Sequence, residues 1–154
     1  MFERAGAALG WQQSFTGLLG EGLRPVPVVV WELHAMEIEY WGLRRERMPG
    51  ALPAAYLILS ELGRLVAAVG CGGGSEARAN EALFRGHFPA TAQYRIDNGR
   101  LITRAPNGAG GAESVRSREC RLEDRWLEVA TAWFLGDDGV SEIRRAVFGF
   151  RRME

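Results

Sequence analysis

The chain has 154 residues, 47% of them hydrophobic and 25% charged, which is the composition of a single globular domain with a substantial core. Nineteen basic residues balance nineteen acidic ones, so the zero net charge gives no electrostatic basis for binding nucleic acid or a membrane surface. Every one of the basic residues is an arginine, and the lack of lysine excludes lysine Schiff-base chemistry.

The two cysteines, Cys71 and Cys120, do not have the spacing of metal ligands. We therefore expect reduced thiols in a cytoplasmic protein, with no metal and no cofactor. The N-terminal sequence lacks the apolar run of a secretory signal. The longest apolar run, Ala51 to Leu59, is far shorter than the ~20 residues that cross a bilayer, so we expect no membrane partner.

The first strand is expected at Val28 to Trp41, which is rich in β-branched and aromatic residues. Its alternation of apolar and polar residues changes phase partway, as a β-bulge would cause, and two shorter strands would explain the change equally well. Residues 1–24, which precede it, are weakly periodic and suit a short helix or an N-terminal flap equally well.

One long helix is predicted from Met48 to Gly70, MPGALPAAYLILSELGRLVAAVG. Met48-Pro49-Gly50 is a turn signal, Pro53 suits the first turn of a helix, and a glycine cluster follows Gly70. Polar residues occupy only one arc of the helical wheel, so the rest of the surface needs to be covered.

The remainder of the chain predicts antiparallel strands. Ala82 to Phe88 is a short strand candidate, and Asp97-Asn98-Gly99 is a strong hairpin signal. Val115 to Leu122, Trp126 to Leu135 and Val140 to Arg151 then form a meander with short turns. The predicted fold class is α+β: a single domain over residues 1–154, with an antiparallel sheet wrapped around one long helix.

This order of elements resembles the hotdog fold of the thioesterase and dehydratase superfamily. The stretch from Met48 to Gly70 is similar to the turn and helix start of those domains. The ending ATAWFLGDDGVSEIRRAVFGF, at 130–150, is similar to their last hairpin. The hexapeptide FRGHFP, at 84–89, is also found in hydroxyacyl-thioester dehydratases of this fold.

The chain departs from the family at three points. In the dehydratases the histidine precedes the MPG turn, whereas His87 follows it by nearly forty residues. Their helix glutamate, five residues past the glycine, is Ala55 here. The HGG turn of many thioesterases is replaced by Pro49-Gly50-Ala51.

The resemblance implies a homodimer that binds an acyl-CoA or acyl carrier protein thioester, and a thioesterase is favoured. A dehydratase-like enzyme is one alternative. A second is a lipocalin-type or NTF2-like barrel or cone that holds a hydrophobic small molecule as a carrier, cyclase or isomerase. A third is a non-catalytic hotdog protein that acts as a structural partner.

Glu61 is the first candidate for catalysis. A carboxylate on a mostly apolar helix can act as a general base toward water attacking a thioester, and hotdog thioesterases place an acid on this helix. The resemblance also implies that N–H groups at the helix start, near Gly50 and Ala51, polarise the thioester carbonyl. The alternative is a solvent-exposed stripe of Ser60, Glu61 and Arg64, with an ion pair between the last two.

Four further residues are site candidates. His87 is a candidate general base, and Tyr56 a donor to the substrate carbonyl. His34 lies where the first strand changes phase, and Trp31 is expected to line an apolar pocket. For each of them the alternative is a structural role, as a core side chain or a locally hydrogen-bonded histidine.

Overall fold

The computed structural model describes residues 27–41, 44–70, 75–106, 113–135 and 142–154. Residues 1–24, expected as a flap or short helix, and Cys71 lie outside these ranges. The described parts contain ten strands and one α-helix. Their bounds are β1 (Val28–Tyr40), β2 (Arg45–Arg47), β3 (Ala55–Ser60), β4 (Arg64–Val69), α1 (Arg78–His87, after a 3-10 turn at Ser75–Ala77), β5 (Thr91–Asp97), β6 (Arg100–Pro106), β7 (Glu113–Leu122), β8 (Trp126–Ala130), β9 (Phe134–Leu135) and β10 (Ile143–Arg152).

Eight of the strands close into an antiparallel β-barrel. They pair in the order β1, β3, β4, β5, β6, β7, β8, β10, and β10 pairs back with β1. The two short strands stand outside this cycle, β2 beside β1 and β9 beside β10. The prediction of an α+β hotdog-like sheet wrapped around one long central helix is therefore wrong, because the sheet closes on itself and the described helix is short.

The predicted helix from Met48 to Gly70 is instead the hairpin of β3 and β4, joined at residues 61–63. Gly63 has a φ of +81°, which a glycine adopts without strain in such a turn. All six residues of β3 are buried, so the strand carries no alternation that would separate it from a helix. On its outer face Ile58 packs with Val66, Val28 and Val30.

The predicted strand from Ala82 to Phe88 is likewise wrong, because Arg78–His87 is the helix α1. Its buried residues follow a helical spacing, with Ala77, Asn80, Phe84 and Phe88 on one side. The segment FRGHF is so short that its aromatic residues also suit a strand. The helical spacing of the buried residues becomes visible only when the preceding residues of α1 are included.

The first strand and the hairpin follow the sequence closely. β1 is continuous and has a register shift between Leu33 and Ala35, so the bulge at His34 explains the change of phase and two separate strands do not. Asn98 and Gly99 join β5 to β6, both with positive φ as a type I′ turn requires. The C-terminal meander also forms, although its middle strand is split into β8 and β9.

Successive barrel strands are antiparallel, so their connections alternate between the two ends of the barrel. One end, the turn end, has the tight turns at 61–63, 98–99 and 123–125. The other, the helix end, has the longer connections, including the one that contains α1. The core lies inside the barrel, where the rings of Phe84 on α1 and of Phe88, which directly follows α1, meet those of Phe148 and Phe150 on β10.

The helix α1 crosses the helix end of the barrel. Near its start, the side-chain nitrogen of Asn80 donates to the carbonyls of Pro49 and Ala51, each at 3.0 Å. Near its end, Arg116 of β7 donates to the carbonyl of Gly86 at 2.9 Å. Because α1 is held at both sides of the opening, its apolar face is directed into the barrel.

Candidate functional site

Two arginines of β7 lie on the inner face of the barrel. Arg116 and Arg118 share this face with Cys120, which packs against the core, and they pair across the sheet with Thr103 and Leu101 of β6. Arg118 is buried, which is unusual for an arginine because the interior removes it from water, whereas Arg116 is exposed. These two residues define the candidate site at the helix end.

Arg118 is the more deeply buried of the two, with only 6% of its surface exposed. Its Nη1 has no hydrogen-bond partner, and no carboxylate in the described ranges forms an ion pair with it. The guanidinium carbon lies 5.6 Å from the centre of the Phe88 ring. Burial, with a smaller effect from the charge of Arg116, lowers the pKa of Arg118 to about 10.

His87, at the end of α1, lies beside these arginines. Its ring is 5.7 Å from the ring of Phe148 on β10. Burial lowers its pKa below the ordinary value, and the positive charges of Arg118 and Arg116 lower it further. The imidazole is therefore held toward its neutral form at neutral pH.

A pocket of about 140 Å³ opens at the helix end, with Arg116 in its wall and Arg118 one position further along the same face of β7. It has two arginines and two hydroxyl groups in its wall, and no carboxylate. The lining residues are Arg85, Gly86, Pro89, Thr103, Ala105, Pro106, Ser114 and Arg116. The chemistry of the wall favours an electron-rich ligand group, because every charged side chain in it is positive.

The outer wall of the barrel has a contrasting cluster of charges, in which acids and arginines are paired. Glu39 is 3% exposed and accepts hydrogen bonds from Arg145 at 2.7 Å and from Arg45 at 2.9 Å. Arg145 also pairs with Glu119, and Arg45 with Glu128. Burial would raise the pKa of Glu39, but the hydrogen bonds from the two arginines, together with their charges, bring it below its ordinary value. This network ties β2 to the barrel wall.

The residues predicted for a thioesterase site are spread over the barrel. Glu61 lies in the turn between β3 and β4, at the turn end, and His87 lies at the helix end. Gly50 and Ala51 precede a strand, so the expected helix N-terminus does not exist there. Ala51 instead donates its N–H to the carbonyl of Glu76 at 3.3 Å.

Two other candidates, His34 and Tyr56, both interact with the carboxylate of Glu32 on the outer face. His34 Nε2 is 3.0 Å from Glu32 Oε1, and Tyr56 pairs with Glu32 across β1 and β3. Burial raises the pKa of Tyr56, and the charge of Glu32 and a hydrogen bond to it act in the same direction. Trp31 is a core residue with 5% of its surface exposed. It lies on the inner face of β1, opposite to the face that carries His34 and Glu32, the partner of Tyr56.

Neither Arg116 nor Arg118 was predicted from the sequence. A signal was present in β7, where Arg116, Arg118, Cys120 and Leu122 fall on one face of the strand and the more polar residues on the other. Cys120, which packs against the core, marks this face as the inner one, whereas Leu122 at the end of the strand is exposed. Its two arginines are then recognisable as inward charges.

No protein-family model, curated protein or solved structure matches the chain. In the part of the chain that the structure describes, no helix is long and apolar enough to span a membrane.

Proposed function

We propose that this protein binds a hydrophobic small molecule at the helix end of its barrel. The observation that carries the proposal is the pocket beside α1, which is walled by inner-face residues of β6 and β7. Eight-stranded barrels are wide enough to hold one small ligand, and the mouth of a barrel is a common ligand site.

Phe88, directly before the pocket-lining residue Pro89, belongs to an aromatic cluster that suits the apolar part of such a ligand. Phe88 is 5.2 Å from Phe148 and 5.7 Å from Phe150, measured between ring centres. The pocket itself is smaller than a typical ligand site of roughly 300–1,000 Å³. It is therefore large enough for only part of such a ligand, and the rest of the ligand extends out of the pocket.

Fluorescence titration with the neutral apolar probe N-phenyl-1-naphthylamine tests this proposal. The wild-type protein is expected to bind one probe per chain, and Ser114→Trp, which fills the pocket from the inner face of β7, is expected to weaken binding at least tenfold. Val115→Trp is the matched control, because Val115 is the next residue of the same strand and is exposed on the outer face. No saturable binding, or equal binding by both variants, would contradict the proposal.

Thioester hydrolysis on acyl-CoA or acyl carrier protein, and a homodimeric state, stay predictions from the family resemblance. A panel of acyl-CoA substrates with Glu61→Gln and His87→Ala tests the first. Because these residues lie at opposite ends of the barrel, a single active site predicts loss of activity in only one variant. Turnover unaffected by either substitution would rule out both assignments.

A further inference from the structure

Arg118 has an unsatisfied charge inside the barrel. Only 6% of its surface is exposed, and its Nη1 donates no hydrogen bond. Buried polar groups in folded proteins nearly always have partners, and a buried cation without one destabilises the fold. A ligand that supplies the missing partner would explain why an arginine occupies this position despite the loss of stability.

The groups around Arg118 exclude an internal acid as that partner. The charge that acts on it most is that of Arg116, and the same two arginines act on His87. Thr103, opposite Arg116, is 2% exposed and faces the same interior. Within the described ranges, the acids that form ion pairs do so with other arginines, as Glu39 does with Arg45 and Arg145, or with a histidine, as Glu32 does with His34.

The ring of Phe88 does not replace an anion. A guanidinium 5.6 Å from a ring centre makes a cation–π contact near the outer limit of that interaction, and the hydrogen-bonding capacity of Nη1 remains unused. A guanidinium pairs best with a planar or tetrahedral oxyanion, to which it donates two parallel hydrogen bonds.

We infer that the ligand of this barrel is an amphipathic oxyanion, a carboxylate or phosphate monoester on an apolar body, whose head group pairs with Arg118 and Arg116. The inference rests on the proposed binding function and adds the chemical class of the ligand. The head group lies near Thr103 and Ser114, whose hydroxyl groups are further donors. The apolar body lies against Phe88 and Phe148.

A matched pair of probes separates this inference from the proposal on which it rests. N-phenyl-1-naphthylamine is neutral, and its 8-sulfonate is the same molecule with an oxyanion. Wild-type protein is expected to bind the sulfonate at least tenfold more tightly than the neutral probe. In displacement of the neutral probe, decanoate and decyl phosphate are each expected to compete more strongly than decanol, and their ranking identifies the head group.

Arg118→Met removes the charge and keeps most of the side-chain volume. It is expected to lose the preference for the sulfonate at least tenfold and to keep its affinity for the neutral probe. Its melting temperature without ligand is expected to equal or exceed that of the wild type, because an unpaired buried charge has been removed. Arg95→Met, on the outer face of β5, is the matched control and is expected to change neither property. Arg116→Met gives a second, independent variant, with a partial loss expected.

The outcomes are distinct. If neither probe binds, the proposed function fails and the inference fails with it. If both probes bind equally, or if Arg118→Met and Arg116→Met keep the preference for the sulfonate, the barrel binds apolar molecules and the inference alone is overturned. A lower melting temperature in Arg118→Met together with an unchanged sulfonate preference would assign Arg118 a structural role.

Discussion

The side chain of Asn80 lies directly against Gly50. Its amide nitrogen donates to the carbonyls on either side of that glycine, those of Pro49 and Ala51, and is 3.2 Å from the place where a Cβ on Gly50 would be. This contact joins the start of α1 to the segment before β3. The MPG turn, expected to open a helix, therefore forms the support on which a different helix is held.

Substitution of Asn80 should loosen α1 from the barrel. Asn80→Ala leaves two carbonyl groups without their donor, and we expect the free energy of unfolding to fall by about 1–3 kcal/mol. Asn80→Asp keeps the shape but replaces the donor by an acceptor, so it should destabilise at least as much. Urea denaturation measures both, and hydrogen exchange of the α1 amides should increase. A variant as stable as the wild type would show that these hydrogen bonds do not hold the helix.

Gly50 should not tolerate a side chain. Its φ is +93°, and a Cβ would lie 3.0 Å from the carbonyl oxygen of Glu76, so Gly50→Ala is expected to lower the free energy of unfolding by about 1–3 kcal/mol. Gly86, in α1, is the control because a Cβ there meets nothing within 4 Å. Gly86→Ala should raise stability by up to about 1 kcal/mol through helix propensity. Thermal denaturation of the two variants checks the opposite signs, and equal effects would be inconsistent with this geometry.

The outer ion network should make stability depend on pH through Glu39. Because its pKa is lower in the folded protein than in the unfolded one, its stabilising effect is present above about pH 4.5 and is lost as pH falls through the folded value. Glu39→Gln should cost about 1–3 kcal/mol at pH 7, since it removes the charge that two arginines share, and less near pH 3. Glu37→Gln, 3.6 Å from Arg45 and more exposed, is the control and should cost under about 1 kcal/mol. Denaturation at both pH values measures the difference, and a cost of Glu39→Gln that does not change with pH would contradict this account.

His87 should make the folded protein less stable at acidic pH. Its folded pKa lies below the value of 6.5 for an unperturbed histidine, so the unfolded chain takes up a proton first as pH falls. The wild type should therefore lose stability below about pH 6.5 relative to His87→Gln, which cannot bind that proton. NMR titration of the imidazole gives the pKa directly. An anion bound to Arg116 and Arg118 should raise it, and a titration at or above 6.5 without ligand would refute the prediction.

Some elements could be predicted from the sequence because a few neighbouring residues determine their geometry. Asn98 and Gly99 specify a type I′ turn by their tolerance of positive φ, and the hairpin forms there. The change of phase around His34 was compatible with a bulge or with two shorter strands, and the register shift of β1 against β10 at that residue selects the bulge. The C-terminal meander followed from its alternation and its turns.

Tertiary structure decided the rest. Ile58, on the outer face of β3, is fully buried, and Leu57, on the inner face, is fully buried as well, so the strand had no polar face to give a period of two. A continuous apolar run of that kind suits a covered helix or a covered strand equally well, and only the closure of β10 onto β1 selects the strand. The closed barrel also decides that Arg118 faces inward, because the environment of a side chain depends on which face of the sheet becomes the interior. The sequence alone therefore specified the turn at 98–99 and the strand order in the last third, whereas the tertiary structure selected the bulge and created the buried charge on which the proposed ligand class depends.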